Sequence, residues 1–164
     1  MQRSSGEEPL AFGAHDHGQC RGQALAAVVD ACEARRLRLT PARACVLETL
    51  LESHRAMTAY ELLERLDAAG LGSAPPVVYR ALDFLVTNGF VHRIERLGAF
   101  AACAHAGHGQ DAGFLVCRAC RRVAEIQLRP PRSLTVDAAA AGFSIERVVL
   151  EAEGLCATCR ADAP

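Results

Sequence analysis

Four of the chain's eight cysteines fall into two C-x-x-C pairs, Cys117-Arg-Ala-Cys120 and Cys156-Ala-Thr-Cys159. A tight C-x-x-C turn lets two thiolates reach one ion, and a second such turn completes a tetrahedron of soft sulfur donors with no position left for a substrate. That is the chemistry of a structural zinc. The gap between Cys120 and Cys156 exceeds the roughly 15 to 20 residues of a zinc ribbon, so the two turns should staple the ends of a folded segment rather than form a small finger. Two disulfides, or one redox-active pair beside an inert one, are the competing uses of the same thiols.

Other metal-ligating residue types are scattered more thinly. The run His15-Asp-His17-Gly-Gln-Cys20 sets imidazole, carboxylate and thiol close enough to bind zinc or nickel, although a floppy segment loses conformational entropy on closing round an ion. Cys32 and Cys45 sit on apolar helix faces and read as core, and His54 reads as a solvated residue after the second helix.

The elements that must position these residues change character along the chain. Residues 1–19 are polar and glycine-rich and read as part of a flexible arm, taken to residue 21. From Gln23 to Arg36 the apolar residues Leu25, Val28, Val29 and Cys32 follow helical spacing. Thr40-Pro41 supplies an N-cap and a first-turn proline for a second helix through Val46, Leu47, Leu50 and Leu51. Thr58-x-x-Glu61 is a capping box for a third, ending at Gly70. A fourth starts near Pro75-Pro76 and stops at Gly89. Phe90 to Ile94 and Ala99 to Ala102, around Leu97-Gly98, read as a hairpin. Beyond residue 103 the pattern becomes mixed: strands at Phe114 to Val116 and Val123 to Leu128, a helix over Pro131 to Ala141, and a strand over Phe143 to Leu150. The predicted fold class is α+β. It comprises an N-terminal winged helix-turn-helix over 22–97, a hinge over 98–103, and a small α/β dimerisation domain over 104–164 that needs zinc and a partner to supplement its core.

At 164 residues and 51% hydrophobic, the chain can bury one good core or two small ones. No charged segment followed by an apolar stretch opens it, and no apolar run approaches the ~18 residues of a membrane span. A cytoplasmic protein with reduced thiols and no membrane contact is expected. The net charge of −1 gives no global sign of a nucleic-acid partner, so any DNA contact rests on local patches. All 18 basic residues are arginine, whose fork suits phosphate and guanine, though codon bias produces the same composition. The fourth helix is the candidate recognition helix: Arg80 could bridge guanine O6 and N7, and Tyr79 could reach a phosphate or a thymine methyl. Alternatively Tyr79 is core and Arg80 a solvated charge. Arg35, Arg36, Arg38 and Arg43 could meet the phosphate backbone or simply decorate a helix end.

The string from Pro75 through Tyr79-Arg80-Ala-Leu-Asp-Phe-Leu, then Asn88-Gly-Phe-Val-His92 and the two C-x-x-C pairs, resembles the ferric uptake regulator superfamily, as does Leu39-Thr-Pro-Ala-Arg43. Ala59-Tyr60-Glu-Leu-Leu, Gly89-Phe-Val-His-Arg and Glu151-Ala-Glu-Gly-Leu-Cys156 are most similar to its zinc uptake regulator branch. The resemblance covers about residues 22–160. It implies a homodimeric repressor that binds a palindromic operator in double-stranded DNA, with Tyr60, Tyr79 and Arg80 at the DNA. It also implies two zinc ions per protomer, one structural on Cys117, Cys120, Cys156 and Cys159, and one regulatory. The positions matching the regulatory pattern are His92, Cys103, His108 (His105 as the alternative) and Glu125. The histidine-dense run usual before the first knuckle is replaced by Gly109-Gln-Asp-Ala-Gly, which puts an additional iron-type site in doubt and leaves Asp111 as a weak candidate for it. Repression of zinc-uptake genes when zinc is plentiful would follow, with no catalysis.

Three other classes compete. A zinc deaminase would place a proline before one knuckle and an H-x-E upstream, and neither is present. An iron- or peroxide-responsive regulator of the same superfamily would use a site rich in His and Asp, whereas the thiol at Cys103 favours zinc. A thiol redox switch would act by oxidising a knuckle and expelling its zinc.

Overall fold

The computed structural model describes residues 12–13, 16–103, 112–128 and 130–162. Four helices come first: α1 (His17–Ala34), α2 (Pro41–Leu51), α3 (Ala59–Ala68) and α4 (Pro75–Thr87). Each boundary has a local cause. Asp16 accepts from Gln19 N and starts α1, Thr40 precedes Pro41 at the head of α2, and Thr58 with Glu61 forms a complete capping box on α3. Gly89, at a φ of 74°, takes the left-handed turn after α4 that a side chain would resist. The helices close on one apolar core in which Leu47, Leu50, Leu62, Leu66, Leu82, Leu85 and Phe90 are fully buried.

The chain then forms an antiparallel wing, β1 (Val91–Ile94) and β2 (Ala99–Ala102), with His92 opposite Ala101. A 3-10 turn over Glu95–Leu97 joins the strands and ends on Gly98 at a φ of 54°. Met57 and Phe100 exchange backbone hydrogen bonds of 2.9 and 2.7 Å, which ties the wing to the approach to α3.

A second sheet has the order β4-β3-β5, where β3 is Ala112–Cys117, β4 is Val123–Gln127 and β5 is Val149–Gly154. β4 runs antiparallel to β3 after the tight Cys117–Cys120 turn. β5 runs parallel to β3, an arrangement that requires a crossover, and α5 (Arg132–Ala140) lies in that connection. A short α6 (Ala157–Ala161) follows.

The two halves are joined rather than merely tethered. Ala56, Ile94, Ala99 and Ala101 pack with Phe114, Val116 and Val123 in a second apolar cluster. Residues 54–56 lie along the start of β4: Val123 N donates to His54 O at 2.8 Å and Ala56 N to Arg121 O at 3.0 Å. The Glu151 carboxylate accepts from Glu95 N and Arg96 N at 2.8 and 3.0 Å, satisfying the free amides at the head of the 3-10 turn.

Several expectations are corrected. The arm to residue 21 is too long, because Asp16 caps a helix whose first turn contains His17 to Cys20. The hinge over 98–103 is too long as well, since Ala99–Ala102 is the second wing strand, paired along its length with β1. The last strand begins at Val149 rather than Phe143, because β3 pairs with it only from Val149 onward.

Candidate metal centres and nucleic-acid face

The parallel register places Cys117, the last residue of β3, opposite Gly154 at the end of β5. Both knuckles therefore leave the sheet at the same edge. Cys120 returns on a turn closed by Arg121 N to Cys117 O at 2.9 Å, with Arg121 at a φ of 61°. Cys156 caps α6 and Cys159 lies in its first turn. The four cysteines converge, with ligand atoms within 4.8 Å of one another and Cys120 Sγ 3.9 Å from Cys156 Sγ. Thiolates ~2.3 Å from a tetrahedral zinc lie about 3.8 Å apart, close to the spacing of Cys120 and Cys156, so the donor set suits zinc. Burial raises the Cys117 thiol, but the backbone amides of Cys120, Cys156 and Ala119 outweigh it and hold the group at about 6. Cys159 moves the other way, pushed up to about 12 first by its hydrogen bond with Cys156. Protein donors thus stabilise the Cys117 thiolate, and a divalent cation is what would let Cys120 and Cys159, both raised, ionise beside it.

A second cluster straddles the halves of the molecule. His92 comes from β1, Cys103 follows β2, and Glu125 comes from β4. His92 Nε2 is 3.5 Å from Glu125 Oε1, and the Cys103 thiol donates to Glu125 Oε2 at 3.4 Å. Cys103 is 4% exposed, and the His92 ring packs on Phe114 with centroids 4.8 Å apart. His92 Nε2 is buried and makes no hydrogen bond among the described residues, and a bound cation would give its lone pair a partner. Imidazole, thiolate and carboxylate suit zinc. His105, His108 and Asp111 lie outside the described residues.

A third convergence was not foreseen. His54, read as solvated, meets His17 and Cys20. The sequence reading put His17 and Cys20 close together in a flexible arm and carried no sign that the segment after α2 returns to them.

On the helical half, Tyr60 and Tyr79 stand 71% and 54% exposed near the starts of α3 and α4, and Arg80 is exposed beside Tyr79. Val78 and Ala81 of the same turn are buried, so the reading of Tyr79 as core is excluded. Two of the four neighbouring arginines are engaged within the fold: Arg35 donates to Asn88 O and Oδ1, and Arg43 lies 3.7 Å over the Phe84 ring.

A winged helix joined to a small sheet domain, with a four-cysteine knuckle pair and a second donor cluster across the joint, defines a metal-binding protein of the helix-turn-helix class. The chain belongs to the ferric uptake regulator family, whose model matches residues 34–153. It is 37% identical over 141 residues to the zinc uptake regulation protein of Escherichia coli (strain K12), covering 82% of this chain and 80% of that one. Among solved structures it is similar to a zinc uptake regulator complexed with zinc and DNA, at a TM-score of 0.79 and 35% identity over 87% of this chain and 96% of that one. It is also similar to XcZur, for which two forms have been solved. The holo form gives a TM-score of 0.73 at 44% identity, covering 85% of this chain and 98% of that chain. The apo form gives 0.50 at 42% identity, covering 87% and 99%.

Proposed function

We propose that this chain is a zinc-responsive transcriptional repressor of zinc-uptake genes, acting in the cytoplasm as a homodimer on a palindromic double-stranded operator and catalysing no reaction. The carrying observation is the origin of the second donor cluster: His92 belongs to the wing, Cys103 to the junction and Glu125 to the C-terminal sheet. Two zinc ions per protomer complete the reading. Cys117, Cys120, Cys156 and Cys159 hold the structural one; His92, Cys103, Glu125 and His108, with His105 as the alternative, hold the regulatory one. When bound, the regulatory ion supplies a positive centre that makes one set of ligands out of residues from both domains.

The rest follows from rigid geometry. With the joint fixed, the two recognition helices of a dimer are held at one separation, and half-sites one turn apart in DNA require roughly 34 to 36 Å. Tyr60, Tyr79 and Arg80 meet the DNA, the arginine reading a base edge and the tyrosines positioning the helix. The closer similarity to the holo than to the apo form of one relative supports reading the arrangement of domains as the metal-loaded one. Dimerisation is supported by apolar surface on the C-terminal domain: Phe143 is 67% exposed, and Val136, Val149 and Leu150 are also exposed. No helix among the described residues is long and apolar enough to cross a membrane.

Bound zinc and operator affinity, followed on the same samples through mild chelation, test the proposal. The zinc at His92, Cys103 and Glu125 is expected to leave first, with the dimer intact and operator binding lost, and added zinc should restore both. Operator binding that ignores this removal would overturn it. Loss of binding only after mild peroxide, with zinc expelled from a knuckle, would favour the thiol switch.

A further inference from the structure

His17 and Cys20 occupy the same face of the first turn of α1, three residues apart. Their position depends on Asp16, which starts the helix by accepting from Gln19 N at 3.1 Å. His54 arrives from the segment after α2. Its Nε2 lies 4.0 Å from Cys20 Sγ, and its ring meets that of His17 edge-on, with centroids 4.9 Å apart and planes at 67°. The ligand atoms of all three residues lie within 4.8 Å of one another. Ligands on a tetrahedral zinc stand about 3.3–3.8 Å apart, and the 4.0 Å between His54 Nε2 and Cys20 Sγ already approaches that spacing.

The hydrogen bonding assigns the donor atom of one ligand. His17 Nε2 lies 2.7 Å from the carbonyl oxygen of Glu52. A carbonyl can only accept, so this nitrogen carries the proton and the lone pair of the neutral ring is on Nδ1. An imidazole that donates its other N–H to a backbone carbonyl is held in the orientation and tautomer that metal ligation uses.

We propose that His17, Cys20 and His54 form a further binding site for a divalent late transition metal, zinc in the cell, separate from both centres described above. Two imidazoles and one thiolate match the preference of zinc and its neighbours over magnesium or calcium. Binding would displace the Cys20 thiol proton to solvent and leave a coordination position for water. The site ties the head of α1 to the residue whose carbonyl accepts from Val123 N at 2.8 Å, and Val123 lies on β4, the strand that carries Glu125. An ion here would fasten α1 to the joint between the domains, adding to the contacts that hold it closed.

The full-length chain, loaded with zinc and dialysed, tests the site by metal content. Cys20→Ser and His54→Gln should each bind one zinc fewer per protomer than the parent while remaining dimeric. Cys45→Ser, which alters a half-buried thiol on α2 outside the three donor clusters of the described residues, should bind the parent amount. With cobalt(II) as the probe, the parent should show thiolate-to-metal charge transfer that is partly lost in Cys20→Ser. Unchanged zinc content in either variant, or an ion that leaves the parent on dialysis, would overturn the proposal. If Cys20→Ser fails to fold, His54→Gln decides alone. Operator binding enters neither readout, so this site stands or falls apart from the regulatory reading.

Discussion

The four-cysteine cluster and the His92, Cys103 and Glu125 cluster use overlapping donor chemistry but draw it from different places. Every cysteine of the first belongs to the C-terminal domain, and the pairing of β3 with β5 brings both knuckles to the same edge. The second takes one ligand from the wing, one from the junction and one from the far sheet. An ion in the first can only complete a fold; an ion in the second also fixes the relation between two bodies. On the proposed reading, where the ligands originate would separate staple from sensor more sharply than which atoms they offer.

Removing a thiolate from each cluster breaks the comparison most directly, and Cys117→Ser should have the larger effect. Structural zinc contributes roughly 10–16 kcal/mol of apparent binding free energy in zinc-finger peptides, against a total stability of about 5–15 kcal/mol for an ordinary domain. Cys117 is also buried and accepts the Cys156 amide. The variant should lose its zinc, its C-terminal sheet and the dimer together, as read by metal content, circular dichroism and sedimentation. A folded dimer lacking that zinc would show that the knuckles are not a staple.

Cys103→Ser should leave the molecule standing. The substitution is nearly isosteric, and the apolar cluster between the domains does not include this residue. The variant is expected to remain dimeric with its knuckle zinc, to have lost the regulatory ion, and to bind operator more weakly by ~10³-fold or more, approaching the non-specific level. Equal loss of fold in both cysteine variants would remove the distinction between the two sites.

How much of this was legible depends on the range over which each feature is determined. The helix starts at Thr40, Thr58 and Pro75 are set by two to four consecutive residues, and sequence reading placed them closely. The knuckles were legible for the same reason, since a C-x-x-C turn is local. The strand at Phe143 was misplaced because its boundary is set by its register with β3, where Val149 pairs with Ala112 far back in the chain, and not by its own apolar pattern. His54 shows the same limit in the site. Its neighbours along the chain are polar, and only the packing of α2 against α1 returns it to His17 and Cys20. His92, Cys103 and Glu125 were named through their resemblance to a known pattern. Spacing alone offered no route to two residues on different sheets and a third at the junction between them.

The smallest expected effect probes the contact between the two halves without touching a ligand. Glu61 accepts from Thr58 N at 2.7 Å and from the Thr58 hydroxyl at 2.8 Å, and it stands 3.6 Å from both Arg55 and Arg121. The Thr58 backbone amide above all, with help from the two arginines, holds its carboxyl below the ordinary value. Such a group stabilises the folded state above its unfolded pKa of about 4.3, and the contribution is lost as pH falls through the lower folded value. Glu61→Gln keeps a capping-box side chain but removes the charge. The variant should be less stable at neutral pH by under about 1 kcal/mol, as expected for partly exposed ion pairs, and the difference should shrink as the solution is made acid. Comparing urea midpoints of the two chains at each pH cancels the zinc loss common to both. A difference that persists unchanged well below pH 4 would mean that shape, and not the carboxylate charge linking α3 to the first knuckle, is what Glu61 contributes.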